Sequence, residues 1–259
     1  MTQLSTTSGD IPHVSMLSWA LNEEENIEEF LVRAESFLRA ISSNFELVLI
    51  NDGSTDRTAQ IVESSLAQMP WLRVHTNERN LGVGFSTRKA ISLSRGQYVL
   101  WQTVDWSYDL SWFDSHPEAV GSVDVIHGSR RLASPGLSGF LARSDSTWKG
   151  FISFVNYGVI KVLFRLPHTD VQNITLYPGA FLRSLEISST SSFASPEILI
   201  KAYWSGLDCL EIPVGFIPRQ YGVAKGTRTG AILRSVLDIL VFRSKNRRSL
   251  QPGRYQRWN

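Results

Sequence analysis

The chain is predicted to be an α/β protein with a mostly parallel sheet flanked by helices, on two observations. Apolar runs of strand length at Val14 to Ala20, Leu47 to Ile50, Leu72 to His75 and Gln97 to Gln102 alternate with segments whose apolar residues recur at helical spacing. That alternation is the signature of parallel strands joined by right-handed helical crossovers. Leu47 to Ile50 also lack the polar alternation of a half-solvated strand, so they read as buried on both faces. With 259 residues, 42% apolar and 19% charged, the chain has material for a substantial core in one large domain or two small ones, which excludes disordered and fibrous classes.

The elements follow in order. Val14 to Ala20 is the first predicted strand. Asn22 and Glu23 open an acidic turn suited to a helix N-terminus, and Ile27, Phe30, Leu31, Ala34, Phe37 and Leu38 mark that helix. The second strand delivers Asn51 and Asp52 to its carboxyl end. Gly53 lets the chain turn, Ser54 or Asp56 can cap the next helix, and Ile61, Val62 and Leu66 give it an apolar stripe. Ligands of open α/β sheets bind at such strand ends, although helix capping alone would also explain both aspartates. Asn80-Leu-Gly-Val-Gly84 precedes a helix at Phe85 to Ser94, and Val123 to His127 is one more strand, followed by a turn at Gly128 to Arg131. Leu132 to Ser146 is rich in Gly, Ser and Pro and reads as a mobile loop of the kind that closes over a substrate. Trp148 to Phe164 and Pro196 to Ser205 read as helices, Asp208 to Ile217 as a strand interrupted by Pro213, and Ala231 to Phe242 as a helix with Ile232, Leu233, Val236, Leu237 and Leu240 on its apolar face. The expected organisation is a loose N-terminus over 1–12, one α/β domain over 13–230, and an amphipathic helix with a basic tail over 231–259.

Charge is uneven along the chain. The formal net charge is +2, yet residues 217–259 hold ten Lys or Arg against one acid, Asp238. That end is suited to anions: substrate phosphates or an anionic membrane surface, with a solvated basic tail as the plain alternative. No recognised nucleic-acid motif accompanies the charge, so nucleic acid is not an expected partner. A single cysteine, Cys209, excludes an internal disulfide and a cysteine-rich metal site. Residues 1–10 lack the basic-then-apolar order of a signal peptide, and no apolar run reaches the ~20 residues of a spanning helix. A cytoplasmic protein, peripheral on a membrane face, is the expectation.

Six segments now stand out together: Asn22-Glu-Glu-Glu-Asn-Ile27, Ile50-Asn-Asp-Gly-Ser-Thr-Asp-Arg-Thr58, Asn80-Leu-Gly-Val-Gly84 with Arg88, Gly128-Ser-Arg130, Pro196-Glu197 with Gly206, and Glu211-Ile-Pro-Val214 with Arg219-Gln-Tyr-Gly-Val-Ala-Lys225. In this order they resemble the motifs of the family 2 glycosyltransferases of GT-A fold, and within them the dolichol-phosphate mannose synthase-like branch that glycosylates polyprenyl phosphates. The resemblance implies a Rossmann-like sheet, a nucleotide-sugar donor, a polyprenyl-phosphate or glycan acceptor, and a Mg²⁺ or Mn²⁺ ion. It implies a nucleotide-sugar site at Ala20, Asn22, Glu23, Asn51, Asp52, Gly53, Ser54, Gly82, Arg88, Val104, Asp105 and Arg130. Asp105, Glu197, Arg219 and Lys225 would carry catalysis, with Asp105 as metal ligand. The chemistry agrees with these residue types: Asp52 and Glu23 suit base and ribose, while Arg130, Arg143, Arg219 and Lys225 suit phosphates.

The sequence departs from that family at one chemically important place. In Gln102-Thr-Val-Asp-Trp-Ser-Tyr-Asp109 the first carboxylate of the family's D-x-D is Thr103, leaving Asp105 alone, with Asp109 a distant substitute. A single carboxylate weakens the expectation of a metal. Trp19 and Leu21 replace the opening Pro and Tyr, Asn51 the first Asp of D-D-G-S, and Ala224 the Ser of S-K, so the choice of base stays open. Two rival functions therefore accompany lipid-phosphate glycosylation: transfer to a glycan or small-molecule hydroxyl, and nucleotide-sugar binding without catalysis. A dinucleotide-dependent oxidoreductase is disfavoured, because Gly82-Val-Gly84 has no third glycine.

Overall fold

A computed structural model describes residues 13–134, 157–189, 191, 193–218, 229–245 and 252–258. Among these residues the core is one eight-stranded sheet: β1 (Val14–Ala20), β2 (Phe45–Asn51), β3 (Leu72–Thr76), β4 (Tyr98–Trp101), β5 (Val125–Ser129), β6 (Thr175–Pro178), β7 (Cys209–Pro213) and β8 (Tyr255–Arg257). Their spatial order is β3-β2-β1-β4-β6-β5-β7-β8. β3, β2, β1 and β4 run parallel, as do β5, β7 and β8. β6 is antiparallel to both its neighbours and joins the two parallel sets. The predicted sheet is thus confirmed.

Side-chain alternation places the helices. Leu47 and Leu49 face one layer with α1 (Ile27–Ile41) and α4 (Ser111–Ser115), while Val48 and Ile50 face the other with α3 (Val83–Leu93) and α7 (Ala194–Trp204). All four of these β2 residues are at most 1% exposed, as expected for a strand covered on both faces. α1 follows dipole logic, with Glu28 and Glu29 in its first turn and Arg39 in its last. α2 (Thr58–Ser65), α5 (Arg130–Ala133) and α6 (Gly179–Ser184) complete the flanks. A third cluster joins the helical segment 157–164 to α7 and to α8 (Thr229–Lys245) through Phe164, Phe193, Ile239 and Phe242.

Four expectations need correction. The strand predicted at Val123 to His127 runs Val125–Ser129, so Gly128 and Ser129 end a strand rather than forming a turn. The strand predicted to Ile217 stops at Pro213, whose missing N–H cannot extend a ladder. β6 and α4 were not foreseen. The basic tail is not separate from the domain, since β8 pairs with β7 and Trp258 packs against Trp112 and His116. Most of the loop expected at Leu132 to Ser146, and the first half of the helix expected at Trp148 to Phe164, lie outside the described residues. No described helix is long and apolar enough to cross a membrane.

Candidate active site

The parallel set brings the carboxyl ends of β1, β2 and β4 side by side, Ala20 beside Asn51 and Leu17 beside Trp101. The turns that follow are tied to one another. Asn22, at φ 52°, donates its amide to Ser54 Oγ at 3.0 Å and accepts the Thr55 amide on Oδ1 at 2.8 Å. The Glu23 amide donates to Thr58 Oγ1 at 2.9 Å, and the Glu24 amide to Asp56 Oδ2 at 3.2 Å. Burial works to raise the Asp56 pKa, but the hydroxyl and amide of Thr58 outweigh it and hold the carboxyl below its usual range. Asn22, Ser54 and Asp56 therefore build the rim. The Glu23 carboxylate accepts from Asn26 at 2.9 Å.

Asp52 has a structural partner set. It is 5% exposed, and its carboxylate accepts from Asn77 Nδ2 at 2.8 Å, the Leu81 amide at 2.9 Å and the Gly82 amide at 2.9 Å. It thereby fixes the loop that starts α3. Gly53 is required beside it: its φ is +73°, and a Cβ there would lie 2.4 Å from the Arg79 carbonyl carbon. Asn51 accepts the Ser54 amide on Oδ1 at 3.1 Å, while its Nδ2 is buried without a hydrogen-bond partner. Arg88, in α3, donates to the Ser189 carbonyl at 3.1 Å and so anchors the segment after α6.

After β4 the chain makes a tight turn in which Thr103 serves as a structural residue. Its hydroxyl accepts the Ser107 amide at 3.0 Å and its carbonyl the Trp106 amide at 2.9 Å. Trp106, at φ 51°, inserts between Phe30 and Phe37 of α1, with Arg33 stacked 5.0 Å above its ring. Val104 is buried in the same core. The turn is pinned to the chain after β7 by Ile217 N to Ser107 O at 2.9 Å and Asp109 N to Gly215 O at 3.1 Å. Asp105, whose carboxylate oxygens are buried, lines a small pocket of about 30 Å³ with Asn26, Glu29, Arg33, Trp106, Ile217 and Pro218. Asp109 accepts the Ser111 amide at 3.0 Å, just ahead of α4.

The two remaining expected residues are committed elsewhere. Arg130 forms a bidentate pair with Asp170, Nε to Oδ2 at 2.8 Å and Nη2 to Oδ1 at 3.0 Å, and a third bond to the Gln172 carbonyl at 2.8 Å. Burial opposes its charge but Asp170 more than restores it, raising the pKa. Glu197 is fully buried and accepts from Lys201 Nζ at 2.7 Å, from both backbone amides of Ser188 and Ser189, and from both hydroxyls. Burial pushes its pKa up, but the Lys201 and serine bonds prevail and keep the carboxyl below its ordinary value. Arg143, Arg219 and Lys225 lie outside the described residues.

Asp170 is the residue the sequence reading passed over. It and Thr169 also donate their amides to Glu211 Oε1, at 3.2 and 2.8 Å, so one segment supports both β5 and β7. A signal existed: Asp170 is the sole Asp, Glu, Lys or Arg between Arg165 and Arg183. Such an isolated acid demands a partner when buried.

Loops at the carboxyl edge of a parallel sheet, with an acid after the fourth strand, are the ligand-binding arrangement of open α/β folds. The chain superposes on glucosyl-3-phosphoglycerate synthase from Mycobacterium tuberculosis, in complex with Mn²⁺, uridine diphosphate and phosphoglyceric acid, with TM-score 0.63 at 17% identity, covering 90% of this chain and 78% of that one. The chain belongs to the glycosyl transferase family 2, whose family model matches residues 17–161. It is 28% identical over 113 residues to a dolichyl-phosphate β-glucosyltransferase, ALG5C, of Trichomonas vaginalis, covering 42% of this chain and 34% of the relative. It is 26% identical over 239 residues to the glycosyltransferase AglD of Haloferax volcanii, covering 87% of this chain and 35% of the relative. The alignments thus span about a third of the length of these relatives.

Proposed function

We propose that the protein is an inverting hexosyltransferase that moves a sugar from a nucleotide donor to a polyprenyl phosphate. The observation that carries this reading is the commitment of the acids near the strand ends: Asp52 to three N–H donors, Glu23 to Asn26, Glu197 to Lys201 and two serines, and Asp170 to Arg130. A sugar hydroxyl needs a carboxylate base to take its proton. A phosphate acceptor does not, because its second pKa is ~6 and it is already anionic near neutral pH. The name of the Trichomonas relative supports the same acceptor class.

In the reaction, a phosphate oxygen of the acceptor bonds to the anomeric carbon as the bond from that carbon to the donor diphosphate breaks, and the electron pair leaves with the nucleoside diphosphate. The donor base and ribose lie over the rim built by Ala20, Asn22, Glu23, Asn51 and Ser54, and the loop held by Asp52 places the Gly82 end of α3 beside them. Asp105 fits a Mg²⁺ or Mn²⁺ ion as its one protein ligand, since hard divalent ions at diphosphates take one or two carboxylates and complete their shells with phosphate and water. Among the described residues no group of three or more His, Cys, Asp or Glu side chains is placed to hold a metal ion. Bound at Asp105, the ion would neutralise charge on the leaving diphosphate. Arg219 and Lys225, outside the described residues, are the cations that the family resemblance offers for the same diphosphate.

The replacement of a D-x-D carboxylate by Thr103, whose hydroxyl is already engaged, favours one second reading, a nucleotide-sugar binder without turnover. A transfer assay with two acceptors separates the readings. With a nucleotide-sugar panel and Mn²⁺, a short prenyl phosphate is expected to yield a glycosyl phosphodiester while free glycan yields nothing. Product on the glycan hydroxyl alone would refute the phosphate acceptor, and donor binding with no product on either would favour the second reading.

A further inference from the structure

Beside the ends of β5, β7 and β8 lie two buried carboxylates, Asp170 and Glu211, 1% and 0% exposed. Charges so buried persist only where donors surround them. Glu211 Oε1 accepts the amides of Thr169 and Asp170, and its Oε2 accepts the Tyr255 hydroxyl from β8. That hydroxyl in turn accepts from Arg257 Nε at 2.8 Å, while Arg257 stays 4.0 Å from the Glu211 carboxylate. Tyr255 is therefore the one side chain that hydrogen-bonds Glu211 among the described residues.

From Glu211 the contacts run on to Arg130. The residue whose amide Glu211 holds, Asp170, is the one whose carboxylate grips Arg130 through Nε and Nη2, and Nη2 also reaches the Gln172 carbonyl. His127 Nε2 steadies the same segment by donating to the Asp170 carbonyl at 3.1 Å. Three of the five guanidinium N–H groups of Arg130 are thus used, and the two on Nη1 make no hydrogen bond among the described residues. A guanidinium fixed along one edge with two donors open on the other is preorganised for an anionic oxygen. Its place in the fold suits that task. Burial raises the pKa of Tyr108, three residues after Asp105, while Arg130 lowers it and Asp170 and Asp105 raise it, so the Arg130–Asp170 pair lies within electrostatic reach of the Asp105 turn.

We propose that Tyr255 is a positioning residue: through Glu211 and the 169–172 segment it holds Arg130 so that the Nη1 edge meets a phosphate oxygen of a bound substrate. The proposal rests on the glycosyl-transfer reading for that substrate, and it adds β8 to the site. Two sources supply such an oxygen, the donor diphosphate and the acceptor phosphate. A double-mutant cycle on Tyr255→Phe and Arg130→Lys tests it, since lysine keeps a cation beside Asp170 but lacks the fork. With a nucleotide sugar, Mn²⁺ and a short prenyl phosphate, each single variant is expected to lower kcat/KM about tenfold, the scale of a slight misplacement of a substrate-holding group. The double variant should fall no further than Arg130→Lys alone. A rise in the donor KM supports the contact and assigns it to the diphosphate, and a rise in the acceptor KM supports it and assigns it to the acceptor. A merely structural role for Tyr255 would act equally in both backgrounds, so losses that multiply in the double variant, or an unchanged kcat/KM in Tyr255→Phe, would overturn the positioning. If the wild type turns over no prenyl phosphate, the acceptor reading fails, and the same cycle is read on calorimetric Kd values for the nucleoside diphosphate and the short prenyl phosphate. Coupled losses there uphold the positioning, and independent or absent ones overturn it.

Discussion

Replacing Asp105 with asparagine is expected to lower kcat by roughly 10²–10³, the usual cost of removing one electrostatic stabiliser of a transition state. Thr103 uses its hydroxyl and carbonyl within the turn and Trp106 is wedged into the α1 core, so between them Asp105 is the one acid, and it lines the pocket. Asparagine keeps the size of the side chain and removes the charge, so the fold should survive with an unchanged melting temperature. Steady-state kinetics with saturating donor and Mn²⁺ measure the effect. Unaltered kcat would show that the negative charge has no part in transfer.

Replacing Glu197 with alanine is expected to act on stability instead, by about 3–5 kcal/mol, the range for breaking one side of a buried ion pair. Lys201 would lose its partner, and the amides and hydroxyls of Ser188 and Ser189 would lose their acceptor. At ~2–4 °C per kcal/mol for a domain near this size, the melting temperature should fall by roughly 6–20 °C. The pH dependence follows from the lowered folded-state pKa. A depressed carboxyl contributes stability that is complete above its unfolded pKa of ~4.3 and disappears as pH falls through the folded value. The gap between wild type and variant should therefore be full at neutral pH and narrow below about pH 4, as followed by thermal unfolding across that range. A gap that widens on acidification would mean that Glu197 is protonated in the native protein.

The legible parts of this protein were those set by local pattern. β1 and β2 announce themselves because both faces are covered, so every residue can be apolar, and α1 because its stripe and its acidic first turn agree. β6 was hidden: it has four residues, and its partners Tyr98, Val99, Ile126 and His127 lie far from it in sequence. The same division runs through the site. The positions of Asn22, Asp52 and Asp105 at strand ends follow from strand-to-turn grammar, whereas the duties of Asp52, Arg130 and Glu197 depend on partners that only the fold supplies. Asp52 meets Leu81 and Gly82, and Arg130 meets Asp170, across 30 and 40 residues. Burial makes each of these charged motif side chains a structural clamp as well. In α8 periodicity found the helix and an apolar stripe, while Phe242, a ring that fits between Phe164 and Phe193, decides which face is buried.

The central claim is that the carboxyl edge around Asp105 is a metal-assisted site for a nucleoside diphosphate and its sugar. Calorimetric titration of UDP, GDP and dTDP, each with and without Mn²⁺, into the wild type and Asp105→Ala tests it most directly. The account predicts binding of one nucleotide that tightens at least about tenfold with Mn²⁺, about 1.4 kcal/mol, and loses that enhancement in the variant. No binding of any of the three, or a Mn²⁺ effect that persists without Asp105, would contradict it.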